Sequence, residues 1–140
     1  MKRHEFREHT ADILFDAYGS SFAEAIEAAA DALFETVADT GKIRVSREMQ
    51  IGESAHSRED LAIFTLSRLL GSMDAEELFF KEFRVTSLKE EGGVFSLEGV
   101  VRGAPADPKI GRTVVKAVTH HITEVAREDG GWRIRLLLDI

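Results

Sequence analysis

The sequence predicts a single α+β domain over residues 1–140, built as a mostly antiparallel sheet covered by two amphipathic helices. Three observations predict it. Two capping signatures, Ser21 with Glu24 and Ser57 with Asp60, each stand just ahead of a run with helical apolar spacing. Two turn signals, Glu91-Gly92-Gly93 and Glu128-Asp129-Gly130-Gly131, separate runs rich in alternating or β-branched residues, as hairpin turns do. The length of 140 residues supports one core, and a domain of this size buries roughly 68 to 70% of its unfolded surface.

Residues 4 to 18 begin polar and become apolar, with Ile13, Phe15 and Ala17 alternating against Leu14, Asp16 and Tyr18, so a strand should enter the core here. Gly19 and Ser20 break it. From Ser21 a helix is expected with Phe22, Ala25, Ile26, Ala29, Leu33 and Val37 on its apolar face, widened by Ala30 and Phe34, and with Gly41 as its stop. Ile43, Val45, Arg47, Met49 and Ile51 then alternate loosely as a strand. The second helix, from Ser57, is apolar nearly all round and should end near Gly71, either more buried than the first or offering a face to a partner. A hairpin of residues 79–89 and 94–103 follows, with Phe95, Leu97 and Val101 inward. The loop of residues 104–111 holds both prolines and is expected to lack regular structure and to be mobile. Val114 to Ala126 reads as a long strand turning into the last one, Trp132 to Ile140. In that last strand Trp132, Ile134, Leu136 and Leu138 oppose Arg133, Arg135, Leu137 and Asp139.

With 25 acidic against 18 basic residues the net charge is -7, which disfavours wrapping of nucleic acid by the whole molecule and suits a cation or a basic partner. The absence of cysteine excludes disulfides and thiolate metal sites. The charged start MKRHEFREHT is unlike a signal peptide, and no window approaches the roughly 18 apolar residues of a membrane span, so a soluble cytoplasmic protein is expected. Walker, dinucleotide, H-E-x-x-H and G-x-S-x-G signatures are absent.

The sharpest candidates for chemistry are Asp12, just before an apolar strand, and Asp139, held beside the terminal carboxylate at the end of another. If the sheet brings them together, two repelling carboxylates need a shared proton or a hard cation between them. Oxygen-only donors favour calcium, magnesium or manganese over zinc, with Ile140 as a natural third ligand. The plainer alternative is that Asp12 forms a turn and Asp139 is a solvated strand end. His9 is near enough in sequence to join such a site, whereas His120 and His121, adjacent on a strand, should face opposite sides. Lys116, within an apolar run, must reach water or meet a carboxylate. Arg133 and Arg135 could meet phosphates or keep the sheet soluble.

Glu8-His9-Thr10-Ala11-Asp12, Tyr18-Gly19, Ala32-Leu33-Phe34, Lys116-Ala117-Val118-Thr119-His120-His121, Trp132 and Leu138-Asp139-Ile140 occur in an order and spacing that resembles the archease family nearly end to end. The resemblance implies an accessory protein, not an enzyme. Archeases activate the RtcB-type RNA-splicing ligase, which joins 2',3'-cyclic phosphate or 3'-phosphate ends to 5'-hydroxyl ends in tRNA splicing. They are thought to speed its guanylylation and allow many turnovers, so RNA would be met only through the ligase. The resemblance also implies a divalent metal site, often calcium, at Asp12, Asp139 and Ile140, and a role in activation for Lys116. The chain departs from the family's tryptophan-bearing second helix with Ile63-Phe64-Thr65-Leu66-Ser67-Arg68-Leu69-Leu70. It also has Gly103-Ala104 for Gly-Glu, and His120 for the usual tyrosine. Those changes bear on the partner surface. The rival readings are a small metal-dependent phosphohydrolase using the same carboxylates, and a general chaperone for RNA-processing proteins acting through the second helix.

Overall fold

The structure, a computed structural model, describes residues 1–7 and 12–140. The α+β class and the antiparallel pairing hold, but the strands divide between two sheets instead of forming one. The expected first strand is a pair: β1 (Arg3–Arg7) lies antiparallel to β2 (Asp12–Gly19), in register from Arg3↔Tyr18 to Arg7↔Leu14.

Helix α1 (Phe22–Val37) starts where the capping signature places it, with Ser21 Oγ accepting from the Glu24 N–H at 3.1 Å. The Glu24 carboxylate reaches one residue further back than a capping box requires and accepts from the Ser20 N–H at 2.9 Å. The helix ends before Gly41, because Ala38 turns extended, donates to Phe34 O and bridges Gly111. Strand β3 (Arg47–Ala55) follows a 3-10 turn and is displaced toward α2 from the expected alternation.

Helix α2 (Arg58–Glu76) begins at its Ser57 cap, where Ser57 Oγ accepts from the Asp60 N–H. It passes through Gly71 and closes only at Glu77, a left-handed residue with φ 53°. Nor is it apolar all round: Phe64, Ser67, Arg68 and Gly71 face out, and Leu61, Leu66, Leu69 and Met73 face in. A Cβ at Gly71 would meet nothing within 4 Å. Gly71→Ala is therefore expected to stabilise the protein by about 0.5–1 kcal/mol through reduced chain entropy and better helix propensity, measured as a higher urea midpoint.

The hairpin of β4 (Leu78–Glu91) and β5 (Val94–Pro105) turns on Gly92 and Gly93, both at positive φ. The loop after it is tied down: Ala106 N donates to Glu77 O, Asp39 N to Ile110 O, and Pro108–Ile110 forms a 3-10 turn capped by Asp107. Strand β6 (Ala117–Glu128) starts three residues later than expected and turns into β7 (Gly131–Asp139).

One sheet runs β1-β2-β7-β6 and the other β3-β5-β4. Each helix touches both sheets, so the helices form a middle layer: α1 between β2 and β4, α2 between β6 and β3. The composition of α1 explains this. Ala25, Ala28, Ala29, Ala30 and Ala32 are wholly buried around it, letting two sheets approach where a single apolar stripe would pack against only one. Phe34 meets Phe80 of the three-stranded sheet edge to face, and Phe22 meets Trp132 of the four-stranded one.

Candidate metal centre

The site is set by the register of β2 against β7. Asp12 and Asp139 are direct partners in that ladder, at its outermost matched position. Ala117 of β6 is the partner of Asp139 on the other side, so three adjacent strands present one row at this end of the sheet. The next row on the same face is Leu14 and Leu137, both buried, so the acidic pair caps an apolar surface. Like charges directly opposite on neighbouring antiparallel strands destabilise a sheet, their Cβ atoms standing about 4.5–5.5 Å apart. An in-register aspartate pair therefore calls for a compensating positive group.

Asp12 and Asp139 are both partly buried and Ile140 is exposed at the rim. Lys116 is exposed, and its main-chain N–H donates to Asp139 O at 2.7 Å. This bond, just outside the paired residues of β6, fixes the position from which the lysine side chain leaves. Among the described residues no group of three or more His, Cys, Asp or Glu side chains converges as a metal cluster. Two carboxylates with main-chain or terminal oxygens of Ile140 are a hard-donor set suited to calcium, magnesium or manganese. His9 lies outside the described residues.

His120 and His121 stand in the bulge where the β6–β7 register slips between Thr119 and Glu124. Both are exposed, and His120 Nε2 lies 3.4 Å from Asp60 Oδ1 of α2.

Arg133 and Arg135 are built into an ion-pair cluster. They surround Asp16, whose side chain is only 1% exposed. Arg135 grips it with Nε at 2.7 Å and Nη2 at 3.0 Å, Arg7 Nη1 approaches to 3.3 Å and Arg133 Nη1 to 3.7 Å. Burial pushes the Asp16 carboxyl up, but the Arg135 hydrogen bonds, with the charges of Arg135, Arg133 and Arg7, outweigh it and hold the group below the usual carboxylate range. Arg133 is held in turn by Glu124 and Glu128. This cluster fixes the same β2–β7 register that places Asp12 on Asp139. Its signal was in the sequence, as Asp16 on the polar side of one strand and Arg135 on the polar side of the other, but alternation alone does not say which positions meet.

Fold and site together define a small α+β protein of two sheets around a helix pair, carrying an acidic pair where the first and last parts of the chain meet. Comparison with known proteins makes this more particular. The profile of the Archease protein family (MTH1598/TM1083) matches residues 4–140. The chain belongs to the archease family. It is 36% identical over 141 residues to protein archease of Methanosarcina acetivorans, covering 99% of this chain and 97% of the relative. It is 38% identical over 142 residues to protein archease of Sulfolobus acidocaldarius, covering both completely. Among solved structures, protein 1598 of Methanobacterium thermoautotrophicum superposes with a TM-score of 0.84 at 32% identity, covering 98% of each chain. A Thermotoga maritima protein described as an archease and possible chaperone superposes with a TM-score of 0.63 at 22% identity, covering 96% of this chain and 94% of its own, and shares the fold. No described helix is long and apolar enough to cross a membrane.

Proposed function

We propose that residues 1–140 form one archease domain that activates an RtcB-type RNA-splicing ligase in the cytoplasm, docking on the ligase and presenting a metal-bearing acidic end without catalysing ligation itself. Membership of the archease family supports this reading. The observation that carries it to named residues is the in-register pair Asp12↔Asp139. Asp12, Asp139 and the main-chain oxygen or carboxylate of Ile140 would hold a divalent ion, with calcium favoured and magnesium or manganese as the other hard cations that suit these donors. The ion would supply positive charge to a partner site that handles phosphate. The exposed Lys116, whose main chain is pinned to Asp139, orients the carboxylates or touches phosphate. A net charge of -7 suits a ligase whose mouth must be basic to hold RNA and nucleotide.

The test is ligase guanylylation under multiple-turnover conditions with wild type and Asp139→Ala. Stimulation by wild type and its loss in the variant, at unchanged thermal midpoint, are expected. Full stimulation by a folded Asp12→Ala/Asp139→Ala protein would overturn the mechanism, and no stimulation by wild type would overturn the activator reading.

A further inference from the structure

The β6 bulge carries an unusual backbone at an exposed, β-branched residue. Between Thr119↔Leu137 and Glu124↔Arg135 the strand spends extra residues that have no partner on β7. Within it Ile122 has φ 63°. A left-handed conformation is uncommon for any residue but glycine, asparagine or aspartate, and for a β-branched side chain it is a strained outlier. The strain is not compensated by burial, since the Ile122 side chain is 43% exposed.

The bulge is nevertheless held in one shape. Thr119 Oγ1 accepts from the His121 N–H at 3.2 Å, and Thr123 Oγ1 donates to Thr119 O at 3.1 Å. His120 clamps the bulge to α2, with Nε2 at 3.4 Å from Asp60 Oδ1 and its ring edge to face with Phe64, centroids 6.3 Å apart. Phe64 is itself 39% exposed on the outward side of that helix. The bulge thus carries one exposed apolar side chain, Ile122, and its histidine touches a second, Phe64, beside the accessible carboxylate of Asp60. It follows within a few residues of Lys116 and Ala117, the β6 neighbours of Asp139.

A strained, braced and solvent-facing aliphatic residue costs the free protein and gains nothing within it, so its return lies in a complex. We propose that Ile122 of the bulge, with the Phe64 that the bulge's His120 touches, forms a preorganised anchor for the ligase, fitting an apolar socket rimmed by lysine or arginine that pairs with Asp60. This rests on the activator reading and deepens it by separating docking from the metal end. The occupant follows from the charge at the patch and from its continuity along β6 with the acidic pair. Rigid apolar anchors ringed by polar groups are the residues on which binding energy concentrates.

The experiment measures the affinity of the purified ligase for wild type, Ile122→Gly and Ile122→Asn, together with thermal midpoints and guanylylation at rising activator concentration. Glycine and asparagine tolerate this φ, so both variants are expected to unfold at or above the wild-type midpoint. Binding is expected to weaken about tenfold, with full stimulation recovered at high activator concentration, unlike Asp139→Ala, which fails at every concentration. Affinity within twofold of wild type in both variants would overturn the anchor while leaving the activator reading intact. So would a fall in midpoint, which would make Ile122 a structural residue. Wild type that neither binds nor stimulates the ligase would overturn the activator reading and the anchor with it.

Discussion

Asp16→Ala is expected to destabilise the protein by about 3 kcal/mol, the lower end of the 3–5 kcal/mol seen when one partner of a buried ion pair is removed. Asp16 is 1% exposed and accepts two hydrogen bonds from Arg135. Its loss strands a guanidinium that cannot lose its proton at accessible pH. The lower end applies because Arg135 retains a quarter of its side-chain exposure, at 25%, and Arg133 keeps Glu124 and Glu128. The pH dependence carries a signature of its own. A carboxyl whose folded-state pKa is depressed contributes its stability fully above the unfolded pKa, about 3.9 for aspartate, and loses it as pH falls through the lower folded value. Urea midpoints of wild type should therefore fall below about pH 4 more steeply than those of Asp16→Ala. Parallel curves for the two proteins would show that the cluster does not carry this charge coupling.

Gly19→Ala should cost a comparable amount for a steric reason. A Cβ at Gly19 would lie 2.3 Å from Ala25 N, 2.6 Å from the Glu24 carbonyl carbon and 2.9 Å from Ala25 Cα. These are main-chain atoms of the first turn of α1, so no side-chain rotation relieves the contact. On the other side, Gly131 of β7 passes so near that a Cβ placed there would stand 2.6 Å from Gly19 O. Overpacking costs about 1–3 kcal/mol when neighbours can yield, and here the upper end is expected because helix and strand must separate. Chemical denaturation checks it. A midpoint equal to wild type would mean that the start of α1 rides freely over the sheet.

Much of this was legible. Ile134, Leu136 and Leu138 are wholly buried, as their alternation required, and both helices start at the serines that cap them. What alternation cannot supply is register or neighbour. It assigned Asp16 and Arg135 to polar faces without joining them, and it left open that β3 pairs with β5 and not with the strands before it. Strand β1 escaped because an exposed edge strand with Phe6 as its one large apolar residue has no core face to announce it. The end of α2 was misplaced because a stop at Gly71 is only a preference, whereas the chain closes the helix with a left-handed Glu77. The bulge hid behind residues that all favour strands: Thr119, Ile122 and Thr123 read as ordinary β sequence while the ladder slips beneath them. The acidic pair was nominated from both ends of the chain, and the β2–β7 register aligns its two members.

That ladder has a consequence for how the protein is made. Asp16 and Arg135 stand 119 residues apart in the chain, and every pairing of β2 with β7 spans a comparable distance. Contacts of such separation form late, since their loop-closure entropy is met only when the intervening chain has ordered. During synthesis β2 emerges long before its partner, at about 5–20 residues per second, and waits with an open edge. The acidic pair therefore cannot exist on a nascent or truncated chain. Its assembly reports that β7 has been made and has paired with β2.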